Sequence, residues 1–205
     1  MKRANVRNLT VTAILAAVAT VLMFFNIPIP LMPSFIKLDF SELPALLASF
    51  ALGPVSGATV CLVKNVVNLF IDGFETAGVG ELSNFLLGCA FVVPAGVIYK
   101  KWKTKKGAMV ASLVGALAMA LLSVATNFYI TYPAYVNLMG LPLEAILGMY
   151  DVINPAVGTE PTNQNLLQAL LMFNMPFTFF KGMLSVFITF IIYKPLAPVI
   201  HGKRV

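Results

Sequence analysis

The chain has 205 residues, of which 59% are hydrophobic and 11% charged, against roughly 45–50% apolar and 25% charged in an average soluble domain. With a mean hydropathy of +0.88, this excludes an ordinary globular enzyme, a disordered chain and a nucleic-acid module. The net charge of +6 sits in clusters rather than on a binding face.

A hydrocarbon core takes about 20 mostly apolar residues per helix, and six segments approach that length. They run over about residues 8–26, 41–52, 55–71, 81–99, 107–131 and 165–193. The first follows Lys2, Arg3 and Arg7, as a signal peptide would. It is long for that role, and Asn26-Ile27-Pro28 follows it where a small-x-small cleavage site would stand. The second is short, and Gly53-Pro54 divides it from the third. Either loop residues extend it to a full span, the preferred reading, or it forms a re-entrant pair with the third. The chain reads as an all-α integral membrane protein of six transmembrane helices, or four in the re-entrant case, in a single domain over residues 1–205.

Charge sets the orientation. Eleven of the 14 basic residues lie before the first span, between the fourth and fifth (Lys100, Lys101, Lys103, Lys105, Lys106), or after the sixth (Lys194, Lys203, Arg204). No acid accompanies them. The eight acids, Asp39, Glu42, Asp72, Glu75, Glu81, Glu144, Asp151 and Glu160, fall on the other side or in the membrane. Basic residues stay cytoplasmic, so both termini are inside and the span count is even. Two outer connections are long, residues 27–40 and 132–164, and are lids, binding loops or passive loops.

With that orientation, Lys64, Asn65, Asn68, Glu81, Asn84, Ser123, Thr126, Asn127, Thr131, Asn174, Thr178 and Lys181 gather from the middle to the outer half of the membrane. This predicts a pocket open to the outside over an apolar floor. On the last helix, Asn174, Thr178, Lys181, Ser185 and Thr189 recur at helical spacing, which makes one inward stripe beside Pro176. Helix–helix hydrogen bonds account for the hydroxyls. Lys181 needs a partner, water or a ligand, because a lysine at mid-helix costs roughly 2.5–3.5 kcal/mol. Lys64 is expected to pair with Glu81 or to snorkel outward. Glu81 suits a helix start. Asp39 or Ser41 is a candidate cap for the second helix, with Glu42 a plain helix-start acid. Ala13, Ala16, Ala17 and Thr20 form a small-residue face for an internal helix or another subunit. Gly53 with Gly57, and Ala111 with Gly115, are read as internal packing pairs.

Cys61 and Cys89 lie inside apolar runs and give neither a disulfide framework nor a zinc site. The lone His201, the lack of a nucleophile–base pair and the lack of a phosphate-binding G-x-x-x-x-G-K-[ST] loop leave a binding protein without an engine. A standalone proton-coupled transporter using Lys64, Glu81 or Lys181 is the other class the residues permit.

The run from Lys37-Leu38-Asp39-Phe40-Ser41-Glu42-Leu43-Pro44 to Phe50-Ala51-Leu52-Gly53-Pro54 resembles the vitamin-binding S components of energy-coupling factor (ECF) transporters. Four further blocks resemble the riboflavin-specific branch: Gly78-Val79-Gly80-Glu81-Leu82-Ser83-Asn84-Phe85, Gly140-Leu141-Pro142-Leu143-Glu144, Ile153-Asn154-Pro155, and Asn174-Met175-Pro176-Phe177 with Lys181-Gly182. The resemblance implies six transmembrane helices, an outward-facing pocket, no enzymatic activity and a multi-pass place in the bacterial plasma membrane. It implies a transmembrane coupling protein and two ABC-type ATPases as partners, with Ala13 and Ala17 at the docking face. It implies riboflavin as transported ligand, with flavin mononucleotide or another vitamin as alternatives, and no cofactor, metal or nucleic acid. The ligand positions map to Leu38, Asp39, Phe40, Glu81, Asn84, Asn127, Thr178 and Lys181, and Asn174 joins them from the polar stripe. Thr178 stands where the family often carries asparagine.

Overall fold

A computed structural model describes residues 2–29, 32–33, 36–71 and 78–201, with side chains within 6–193. The side chains of Lys2, Arg3, Asp72, Glu75, Lys194, His201, Lys203 and Arg204, which enter the charge reading, lie outside the described residues.

Helix α1 spans Lys2–Phe24, and a two-strand antiparallel ladder follows, β1 (Ile27–Pro28) with β2 (Lys37–Leu38). Then come α2 (Glu42–Leu52), α3 (Pro54–Ile71), α4 (Val79–Lys101) and α5 (Lys105–Thr126). A π-helical turn at Asn127–Thr131 carries α5 into α6 (Tyr132–Met139). Helix α7 (Leu143–Asp151) is separate, and α8 (Asn163–Ala169) passes through a second π turn, Leu170–Asn174, into α9 (Met175–His201).

Among the described residues, five stretches are long and apolar enough to cross a membrane: Val6–Phe24, Pro54–Ile71, Val79–Lys101, Lys105–Met139 and Asn163–Tyr193. Helix α2 is apolar but has 11 residues, about 16 Å at 1.5 Å per residue. The expected lengthening by preceding loop residues does not occur, because residues 39 and 40 are non-helical. That segment is instead free to carry Asp39 toward the other helices.

Local chemistry sets the boundaries. Gly53 ends α2 at φ 112°, and its N–H reaches the Ser49 carbonyl. Pro54 then starts α3, where its missing N–H costs nothing. Gly53 therefore makes a corner and is not a packing glycine: a Cβ there would meet nothing within 4 Å. Gly57 does pack, since a Cβ would fall 2.7 Å from that of Ser49. Gly115 lies against α4 in the same way, with the Phe91 carbonyl 2.4 Å from its virtual Cβ. The hydroxyls of Thr104 and Thr162 cap α5 and α8 by accepting from the Gly107 and Asn165 amides.

The main core joins Ala16 and Ala19 of α1, Ala45 and Leu46 of α2, Val60 of α3, Phe91 and Val92 of α4, Met119 of α5 and Val186 of α9. A second core forms within the long connection, where Ile146, Leu147 and Tyr150 of α7 pack on Tyr132, Leu166 and Leu170. The segment expected as a loop is thus a packed helical cap on the bundle. The small face of α1 divides: Ala16 and Thr20 are buried, whereas Ala13 and Ala17 are exposed.

Candidate functional site

The site starts at the non-helical residues before α2. Asp39 Oδ1 accepts from the Ser41 amide at 2.9 Å and from the Ser41 hydroxyl, and Oδ2 accepts from Lys181 Nζ at 2.7 Å. Burial alone would raise the Asp39 carboxyl. The Lys181 ammonium, with Lys64 behind it, outweighs burial and holds the group well below the usual carboxylate range. Ser41 stands at the start of α2 but makes no side-chain cap bond, whereas the Asp39 carboxylate accepts a backbone amide at the entry to that helix.

Two sequence expectations are overturned beside it. Lys64 neither pairs with Glu81 nor snorkels. It donates to Glu42 Oε1 at 2.7 Å and to Ser41 Oγ at 2.6 Å, with its side chain fully buried. Glu42 is not a plain helix-start acid but a 1% exposed partner of that lysine. The reason is the tight α2–α3 corner. Residues 42 and 64 lie equally far from Gly53, so an antiparallel hairpin brings them level.

Above this network lies a partly open cavity of about 250 Å³. The β2 side gives Ile36, Lys37, Asp39 and Glu42, and α4 gives Gly80, Ser83, Asn84 and Leu87. Met119, Asn127, Thr131, Tyr132 and Tyr135 line it from α5, its π turn and α6, and Asn174, Phe177, Thr178 and Lys181 from the last helix. Of the expected site residues, the fold thus brings together Asp39, Asn84, Asn127, Asn174, Thr178 and Lys181. Leu38, Phe40 and Glu81 are not in the lining. Leu38 is buried and pairs with Ile27 in the ladder, Phe40 is half-buried, and Glu81 Oε1 accepts from Asn68 Nδ2 at 3.3 Å.

Asn174 is already committed on both ends of its amide. Its Oδ1 accepts from the Tyr150 hydroxyl at 2.6 Å, and its Nδ2 donates to the Tyr132 hydroxyl at 3.2 Å. The two tyrosine hydroxyls also bond each other. This triad fixes the π turn that precedes Pro176, and π turns are frequent at functional sites. Asn127 Nδ2 donates to the Ser123 carbonyl at 2.8 Å. Of the lining residues the sequence reading missed, Tyr135 had a signal: Asn127, Thr131 and Tyr135 recur every four residues, a stripe cut off by ending the helix at 131. Lys37 and Phe177 stood only within the blocks that resemble the family, and Tyr132 had no signal. Among the described residues, no group of three or more His, Cys, Asp and Glu side chains is placed to hold a metal.

A second hollow, about 500 Å³, lies between α1 and α3 and is almost wholly apolar. Ala13, Ala16, Ala17 and Thr20 form one wall, and Thr59, Val63 and Val67 the other.

This architecture has known counterparts. Residues 7–193 match the family described as ECF transporter, substrate-specific component. The riboflavin transporter FmnP of Bacillus subtilis (strain 168) is 32% identical over 202 residues, 98% of this chain and 97% of that protein. The riboflavin transporter RibU of Staphylococcus aureus (strain TCH60) is 32% identical over 94% of this chain and 91% of its own length. A solved structure described as the S component of a bacterial ECF transporter superposes with a TM-score of 0.73 at 29% identity, covering 98% of this chain and 99% of that one. A multi-pass transporter component, and not an enzyme, the chain belongs to the family of substrate-specific components of ECF transporters.

Proposed function

We propose that the chain is a riboflavin-binding S component that captures the vitamin outside the cell and hands it inward with the help of ATPase partners. The observation that carries this reading is the convergence of Asp39, Asn84, Asn127, Thr178 and Lys181, from four separate segments, on one cavity. Riboflavin is flat, neutral and partly apolar. Its uracil-like edge carries carbonyl acceptors suited to the Lys181 ammonium and the Asn84 amide. Its ribityl hydroxyls suit Asn127 and Thr178, and its dimethylbenzene edge suits Leu87, Met119 and Phe177. A few placed polar groups between apolar walls are the usual form of a small-molecule site. The names of the relatives support the same ligand.

In this reading one domain crosses the bacterial plasma membrane six times, α2 serving as a short second span. Both termini are cytoplasmic beside the basic clusters, and the cavity faces outward. The exposed Ala13 and Ala17 sit in the apolar groove where a coupling protein helix would dock, bringing two ABC-type ATPases. The test is the absorption spectrum and flavin-fluorescence titration of the purified protein. Bound or quenched flavin is expected, and thiamin, folate and biotin should fail to compete. No flavin binding at micromolar concentration overturns the proposal.

A further inference from the structure

Lys64 has no place in the cavity wall, yet it is wired to Lys181, which has. Four formal charges alternate along a single path: Glu42, Lys64, then through the Ser41 hydroxyl to Asp39, and Lys181. An ammonium has donors only. Ser41 Oγ must therefore accept from Lys64, and its own proton is directed to Asp39 Oδ1. That oxygen also takes the Ser41 amide, which leaves Oδ2 facing Lys181. The orientation of the carboxylate that holds Lys181 is thus set from the far side by a fully buried cation. The path is neutral as a whole. Glu42 also touches the cavity, so without Lys64 a carboxylate stripped of its ion-pair partner would border it.

We propose that Lys64 and Glu42 are a positioning pair that, through Ser41 and Asp39, fixes the Lys181 ammonium at the ligand cavity. The pair's effect on affinity rests on the flavin reading, whereas the coupling between Lys64 and Lys181 does not. If the pair were only a staple between α2 and α3, its removal would alter stability and leave affinity and coupling alone.

Flavin titrations of wild type, Lys64→Met, Lys64→Met/Glu42→Gln and Ser41→Ala, with ligand-free melting temperatures alongside, test this. Lys64→Met should bind about tenfold more weakly. The charge-balanced double variant should regain stability, since a buried pair removed whole is tolerated far better than one removed by half, yet still bind at least about threefold more weakly than wild type, because Ser41 and Asp39 have lost their donor. Ser41→Ala, which changes no charge, should cost about threefold. A folded Lys64→Met, or a folded double variant, with wild-type affinity overturns the proposal. Should Lys64→Met fail to fold, Ser41→Ala decides, and unchanged affinity there overturns it. Wild type that binds no flavin removes the functional reading alone. The pair is then tested by melting temperatures of Lys64→Met, Lys181→Met and their combination: non-additive effects are expected, and strict additivity overturns it.

Discussion

The two hollows of this molecule are built on opposite terms. The groove on α1 and α3 is the larger, about 500 Å³ against about 250 Å³, and offers almost no polar surface. The cavity between β2, α4, α5 and α9 is smaller and is ringed by amides, hydroxyls and the Asp39–Lys181 ion pair. In a bilayer, lipid tails or another helix cover an apolar groove without loss. Polar groups withdrawn from water must each find a partner, and a charge must find a counter-charge. Volume therefore says little about ligand capture, whereas the expense of assembling polar groups says much. The groove suits close approach of a helix, because Ala13 and Ala17 hold its wall low, and the cavity suits a small molecule with hydrogen-bonding edges.

This contrast predicts that damage to one hollow leaves the other intact. The largest effect is expected for Asp39→Asn, which leaves the Lys181 ammonium without its counter-charge. Flavin affinity should fall about 100-fold, since removing one partner of a withdrawn ion pair strands the other. Lys181→Met should cost at least about tenfold, and unchanged affinity would remove Lys181 from the site. On the other hollow, Ala13→Trp or Ala17→Trp fills the groove with an indole. Uptake into cells should fall by about tenfold or more, because the small-residue contact is lost, while flavin titration of the purified variant stays at the wild-type value. Loss of both together would break the division between the hollows. A smaller effect is expected for Tyr150→Phe, which removes the donor to Asn174 Oδ1 behind the cavity wall. It should destabilise the ligand-free protein by about 1 kcal/mol, read as a lowered melting temperature, with a few-fold weaker binding as the π turn loosens.

The two hollows were also unequally legible. The small residues of α1 and the apolar spans follow from composition and helical period, which are local, but the single face read there divides into exposed Ala13 and Ala17 and buried Ala16 and Thr20. The last helix was legible too, because Asn174, Thr178, Lys181, Ser185 and Thr189 share one stripe, and Asn174, Ser185 and Thr189 are buried as that stripe requires. The partner of Lys64 was not found among nearby acids, since Glu42 lies 22 residues away. The Gly53-Pro54 corner held the answer, had residues equidistant from it been paired. The Tyr132–Tyr150–Asn174 triad joins residues 18 to 42 apart in sequence, through a connection whose helices are too short to carry a hydropathy signal. Such contacts are set by tertiary packing, and no periodicity reports them. Leu38 and Phe40 stand outside the lining for a related reason: adjacency in sequence to Asp39 does not give adjacency in direction.

The smallest expected effect concerns pH, and it separates capture from proton coupling. Burial would raise the Asp39 carboxyl, but Lys181 and Lys64 more than offset it and hold the group below its ordinary value. For a carboxyl depressed on folding, the stabilising contribution is complete above the unfolded value, about 3.9, and is lost as pH falls through the still lower folded value. Between pH 5 and 8 the Asp39 carboxylate therefore stays charged. Flavin affinity across that window should vary by less than about twofold, and the loss below about pH 4 should be smaller in Asp39→Asn. Affinity that titrates with a midpoint between pH 5 and 8, together with uptake by the isolated chain in proteoliposomes under a pH gradient, would assign the buried charges to proton movement. A flat profile leaves them the work of holding one ammonium still at the edge of a ligand.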